Sequence, residues 1–153
     1  MTTRWLTKSE QESWRLFITV LPDLLAAFEV DLVQHGLNFG DYEVLVRLSE
    51  SDEHRMRMCD LAAALRLSPS GLTRRLDGLV KSGWVARAAS PEDRRVMYAQ
   101  LTAGGMATLE AAAPDHVASV RRFLVDPIGA DGMRDLGRIF ATVRQTLEAE
   151  QLV

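Results

Sequence analysis

The chain has 153 residues, 47% of them apolar and 25% charged, which is ordinary for one soluble globular domain and leaves no disordered or low-complexity segment to explain. Its net charge of −3 at first argues against a nucleic-acid partner. One cysteine excludes an internal disulfide, and with no paired Cys/His spacing we expect no structural metal and no cofactor.

From Glu10 to Gln34, Trp14, Phe17, Ile18, Leu21, Leu24, Leu25, Phe28 and Leu32 recur at three- and four-residue steps, so one long helix is expected, with Pro22 as its kink. The amino terminus before it lacks an apolar signal core, and no run approaches the ~18 apolar residues of a membrane span; a cytoplasmic protein with no membrane partner is expected. Gly40 to Ser49 supports a second helix, with Tyr42, Leu45, Val46 and Leu48 available to pack, and Arg55 to Met58 suits a short strand.

Cys59 to Arg66 favours a short helix in which Leu61 and Leu65 fall four apart on one face. Ser68 then offers an oxygen to cap a new helix whose first position suits Pro69. With Leu72 as origin, Leu76 and Leu79 lie within about 40° of it and Val80 close by. Ser70, Thr73, Arg74, Asp77 and Lys81 fall on the other side. That outer face carries hydroxyls and an arginine near the helix N-terminus, the end a recognition helix presents to base edges in the major groove. Ser68, Ser70, Thr73 and Arg74 are the DNA-facing candidates at that end, with Ser70, Thr73 and Arg74 placed to read bases. Arg75, on the flank, and Lys81 are phosphate candidates. Taken alone, the helix is equally open to being an amphipathic helix with a solvated basic face.

Gly83 supplies a left-handed C-cap, and Trp84 to Ala89 and Val96 to Leu101 read as two facing strands. Between them Ser90 to Arg95 makes a turn that carries arginines to the far end of a hairpin. Such an arginine suits a narrow minor groove, and Asp93, two residues before Arg95, can hold its guanidinium in a bidentate pair. Helix, tight connection, capped basic helix and Arg-tipped hairpin together read as a winged helix-turn-helix. Charge placement agrees. Residues 66–95 hold seven basic against three acidic side chains, a net of +4 that leaves −7 for the remainder, a basic lobe on an acidic body.

Thr102 is a plausible N-cap for a helix running to about Val125 and bent at Pro114, with Asp126 to Gly129 as a connection. Met133, Leu136, Phe140, Val143 and Leu147 then step three, four, three, four, and Ile139 widens the stripe. This seam suits a partner helix, either within the chain or in a twofold dimer that sets two recognition helices about one DNA turn apart. The predicted fold class is mainly α with a small β-wing. Residues 1–153 form one domain, with 9–35 and 103–151 as dimerisation helices and 40–101 as the DNA-binding lobe.

Leu61 to Gly83, the wing from Pro91 to Arg95, and Leu101 to Gly105 resemble the MarR family of bacterial transcription regulators, the wing matching that family's Asp-x-Arg signature at Asp93 and Arg95. The resemblance implies a homodimeric regulator, a repressor or activator, on double-stranded DNA containing an inverted repeat. In it Arg95 would enter the minor groove with Asp93 orienting it, and Arg94 would contact a phosphate. It also implies a small aromatic, phenolic or otherwise lipophilic effector where the dimer helices meet the winged lobe. Trp14, Arg15, Tyr42 and His116 are the candidates to line that site, against the plainer reading that puts Trp14 and Tyr42 in the core and Arg15 and His116 at the surface. Cys59 is open to a thiol-based redox role near Arg57 and a helix start, against the plainer reading of a buried small hydrophobe. An enzyme is not expected. The chain lacks a phosphate loop, G-x-S-x-G and H-E-x-x-H, and its three histidines are scattered. A winged-helix interaction module without DNA binding is the remaining alternative, opposed by Arg74, Asp93 and Arg95.

Overall fold

The computed structural model describes residues 2–90, 93 and 95–150. In chain order it runs α1 (Lys8–Val33), α2 (Phe39–Ser49), a 3-10 turn (Asp52–His54), β1 (Arg55–Arg57), α3 (Met58–Ala64), α4 (Pro69–Lys81), β2 (Val85–Ala89), β3 (Met97–Leu101), α5 (Ala103–Val120), a π-helical turn (Arg121–Val125) and α6 (Asp126–Ala149). The predicted class is therefore the observed one, a mostly helical chain with a small wing sheet. The sheet has the order β1-β3-β2, antiparallel throughout, with Arg57 opposite Tyr98 and Arg87 opposite Ala99.

Local chemistry sets the element ends. Thr7 opens α1 with a capping box, its Oγ1 accepting from the Glu10 amide while its own amide donates to Glu10 Oε2 at 2.6 Å. The helix then continues through Pro22 for 26 residues. Between α3 and α4 the chain turns at Arg66, held at φ 53°, with Leu67 N–H donating to Ala62 O and Arg66 N–H to Ala63 O. After α4 the same Schellman pattern recurs at Gly83 (φ 75°), where Trp84 N–H reaches Leu79 O at 3.0 Å.

One core joins the helix-turn-helix to the sheet. Leu45 and Leu48 of α2, Leu61 of α3, Leu72, Leu76 and Leu79 of α4, and Val85 and Ala99 of the sheet are buried together. Two expectations need correcting. Val80 is exposed, because at 100° per residue it lies about 80° from Leu72 and rotates off the leucine stripe. Cys59 is exposed as well: two residues before the buried Leu61, it sits about 200° around α3 and faces outward.

Thr102 caps α5, its Oγ1 accepting from Gly105 N–H at 3.0 Å and donating to Gly83 O at 2.6 Å, which ties α5 to the stem of the wing. α5 continues through Pro114 and gives way to the π-helical turn at Arg121, before the expected end at Val125. The expected connection Asp126 to Gly129 is reduced to a break in the helical path at Gly129 (φ 66°, ψ −177°). α6 buries none of its residues. Phe140 approaches Phe17 of α1 at 6.1 Å between ring centres, and the two helices leave open an apolar groove of about 320 Å³ lined by Phe17, Leu21, Leu25, Phe28, Leu136 and Phe140. None of the described helices is long and apolar enough to cross a membrane.

Candidate nucleic-acid interface

The outer face of α4 is built from its cap outward. Ser68 Oγ accepts from Gly71 N–H at 3.1 Å and lies 3.2 Å from Ser70 Oγ, so one hydroxyl is committed to the helix start while the next stands beside it. Thr73 Oγ1 donates to Pro69 O at 2.9 Å, leaving its oxygen lone pairs and methyl group on the open face. Ser70, Thr73, Arg74 and Lys81 are all exposed, opposite the leucines that anchor the helix.

Arg75 does not stand free on the flank. Its Nη1 donates to Asp41 Oδ1 and to Asn38 Oδ1, both at 3.1 Å, and its guanidinium lies over Gly40, where an added Cβ would meet it at 2.1 Å. Asn38 is itself the N-cap of α2, so Arg75 braces α4 against the start of that helix. Burial pushes the Asp41 carboxyl up and the Arg75 charge pulls it back, burial being the larger effect. The residue expected to meet phosphate is thus engaged within the chain.

At the wing the expected fork is present. Arg95 Nε and Nη2 donate to Asp93 Oδ1 and Oδ2 at 3.1 and 3.2 Å, and the Arg95 amide adds a third bond to Oδ1 at 3.0 Å. These bonds hold the Asp93 carboxyl below the usual range. The Arg95 side chain is nevertheless 90% exposed. A solvated guanidinium fixed in direction by a carboxylate is pre-oriented for an anionic groove, since less rotamer freedom remains to be lost on contact. Arg94, Pro91 and Glu92 lie outside the described residues.

The four effector candidates divide. Tyr42 and His116 come together at 4.6 Å between ring centres, on a cavity of about 280 Å³ that Phe39, Glu43, Arg47 and Glu50 also line. Trp14 stacks instead on Phe17 at 5.9 Å, and neither it nor Arg15 reaches that cavity. His116 is surrounded by Phe28, Phe39 and Tyr42, its Nδ1 has no hydrogen-bond partner among the described residues, and burial holds its pKa below the ordinary imidazole value.

Sequence reasoning missed two links. His35 and Gln34, at the end of α1, both bond Asp115 Oδ2 of α5, at 2.7 and 3.0 Å. Arg87 of β2 reaches α4, where its Nη2 donates to Thr73 O at 3.0 Å and Asp77 Oδ1 at 2.7 Å. Arg87 was visible only as one charge in a basic stretch, and nothing in the local pattern around Asp115 signals its partners.

Comparison with known proteins adds a consistent picture. Residues 37–97 match the MarR family. The chain is 39% identical to AbsC, a MarR family transcriptional regulator from Streptomyces coelicolor, covering 96% of this chain and 99% of that one with a TM-score of 0.91. It is 35% identical to Sco3205 of the same organism, a MarR family transcriptional regulator solved in complex with DNA, over 95% and 92% of the two chains at a TM-score of 0.90. Among curated proteins it is 33% identical over 85 residues to the HTH-type transcriptional repressor YetL of Bacillus subtilis, over 56% of this chain and 51% of that relative. The chain thus spans about half the length of the curated relatives it matches.

Proposed function

The chain belongs to the MarR family of transcriptional regulators, and from that footing we propose that it is a homodimeric transcriptional repressor that binds double-stranded DNA sequence-specifically. In this reading α4 enters the major groove, where Ser70, Thr73 and Arg74 meet base edges, while Lys81 and Arg94 meet phosphates. Arg95, aimed by Asp93, enters the adjacent minor groove. Arg75 is assigned to bracing. The observation that carries the proposal is the Arg95 guanidinium, almost wholly exposed yet held by a two-point carboxylate fork at the end of a hairpin.

The dimer rests on helices 9–35 and 103–151, about the DNA-binding lobe 40–101. The apolar groove between α1 and α6, and the exposed Phe17, Ile139, Phe140 and Val143, supply a surface that a second copy would cover. An inverted-repeat operator follows from twofold symmetry. For release, a small aromatic or phenolic effector fits the cavity lined by Tyr42 and His116, where Arg47 supplies a cation beside the two rings. A second reading, thiol-based control, is favoured by one observation, the exposure of Cys59.

Arg95→Ala tests the assignment. Operator affinity should fall by about 1–3 kcal/mol, the usual worth of a specific arginine contact. Unchanged affinity in a folded variant would show that the wing is idle.

A further inference from the structure

Asp77 is an acidic residue on the side of α4 that otherwise carries Thr73, Arg74 and Lys81, where it would repel a phosphate backbone. Its partner explains its presence. One nitrogen of Arg87 donates both to the Asp77 carboxylate (2.7 Å) and to the Thr73 carbonyl one helical turn earlier (3.0 Å), so a single side chain of β2 staples two successive turns of α4 to the wing stem. Arg87 lies opposite Ala99 in the sheet, in the strand that leads into the Asp93–Arg95 hairpin. On the opposite flank Arg75 ties α4 to α2 through Asp41 and Asn38. The helix is therefore clamped on both sides by guanidinium groups, one reaching from α4 to α2 and one reaching α4 from β2.

We propose that Arg87 and Asp77 are specificity-determining positioning residues that fix the angle and spacing between the base-reading face of α4 and the minor-groove arginine of the wing. The inference rests on the reading that α4 and the wing meet DNA together. The clamp favours duplexes whose major- and minor-groove contacts have the matching spacing, and it adds little to nonspecific binding, which depends on phosphate neutralisation alone. Both bonds leave Nη2, whose two N–H groups serve one acceptor each. Charge bookkeeping makes the opposite prediction: with Arg87 as a plain phosphate contact, Asp77 is merely repulsive and its removal strengthens all DNA binding.

The test uses the full chain and two duplexes, an inverted-repeat sequence enriched by the wild type from a random pool and a scrambled duplex of equal length, titrated by fluorescence anisotropy across a salt series. Asp77→Asn and Arg87→Gln should each lower the ratio of the two affinities about twofold to tenfold, as expected for a half-exposed ion pair with one added hydrogen bond. The double variant should be no worse than the poorer single one. The salt slope of Asp77→Asn should match the wild type. Tighter binding of both duplexes by Asp77→Asn would overturn the proposal, as would an Arg87→Gln loss equal on both duplexes with the salt slope reduced by about 0.9. Thermal unfolding checks each variant. Should Arg87→Gln fail to fold, the near-isosteric Asp77→Asn decides alone. If the wild type enriches no duplex, the DNA-binding reading falls first, and this inference with it.

Discussion

Gly105→Ala probes the joint between the wing and the long helices. A Cβ at Gly105 would stand 2.1 Å from the carbonyl oxygen of Trp84, 2.9 Å from its carbonyl carbon and 2.7 Å from Leu101 Cδ1. Leu101 can rotate aside. The Trp84 carbonyl cannot, because it accepts the Thr102 N–H at 3.0 Å, and Thr102 Oγ1 is in turn bonded to Gly83 O. Reaching an ordinary separation of about 3.5 Å requires the start of α5 to retreat from the wing stem by roughly an ångström, at the expense of those bonds. Alanine gains about 1 kcal/mol of helix propensity over glycine, while overpacking costs about 1–3 kcal/mol and the strained hydrogen bond to the Trp84 carbonyl about 1 kcal/mol, so the clash wins by about 2 kcal/mol. For a domain of this size that is a fall in Tm of roughly 4–8 °C. The control is Gly78→Ala, in α4 with nothing within 4 Å of its added Cβ, where the propensity gain of about 0.5–1 kcal/mol should appear unopposed. Both variants and the wild type are compared by calorimetry at one fixed concentration, because the proposed dimer would couple Tm to concentration. A Gly105→Ala variant as stable as the wild type would refute the argument.

Arg74→Ala should relax discrimination among operator variants, whereas Lys81→Ala should weaken all duplexes about equally and lower the salt slope; equal, sequence-independent losses in anisotropy titrations would confine Arg74 to phosphate. Because burial lowers the His116 pKa, the unfolded chain takes up that proton first, so the stability contributed by neutral His116 is complete above its ordinary value of 6.5 and is lost as the pH falls from there toward the depressed folded value. Urea unfolding of His116→Gln between pH 7 and pH 5 should show a flatter profile than the wild type, and an identical slope would remove His116 from the account. A phenol or aromatic carboxylate should weaken operator binding, and DNA should weaken that ligand by the same factor, while peroxide should leave the wild-type complex intact. Release by peroxide that Cys59→Ser abolishes would move the sensor to the thiol.

What the sequence made legible is what short-range chemistry decides. Ser68, Pro69 and Gly83 bound α4 because caps and stops act within a turn of their own residue, and the leucine stripe of α4 followed from 3.6-residue periodicity. The Asp93–Arg95 fork was legible because its partners are two residues apart. The partners of Arg75 stay hidden for the opposite reason: Asp41 and Asn38 lie 34 and 37 residues away, and only the packing of α2 against α4 brings them within reach. Arg87 and the Asp115 cluster were hidden in the same way. Cys59 was judged by the burial habit of its residue type, when its angular offset from Leu61 already turned it outward. The effector candidates drawn from α1 failed to join Tyr42 and His116 because periodicity assigns a face to Trp14 without saying which neighbour that face meets.

The most direct test of the whole account is light scattering on the complex between the chain and its enriched inverted-repeat duplex. The account predicts two chains per duplex, since α1 and α6 leave an apolar groove for a second copy and one α4 reads one half-site. A stable complex holding a single chain would contradict it.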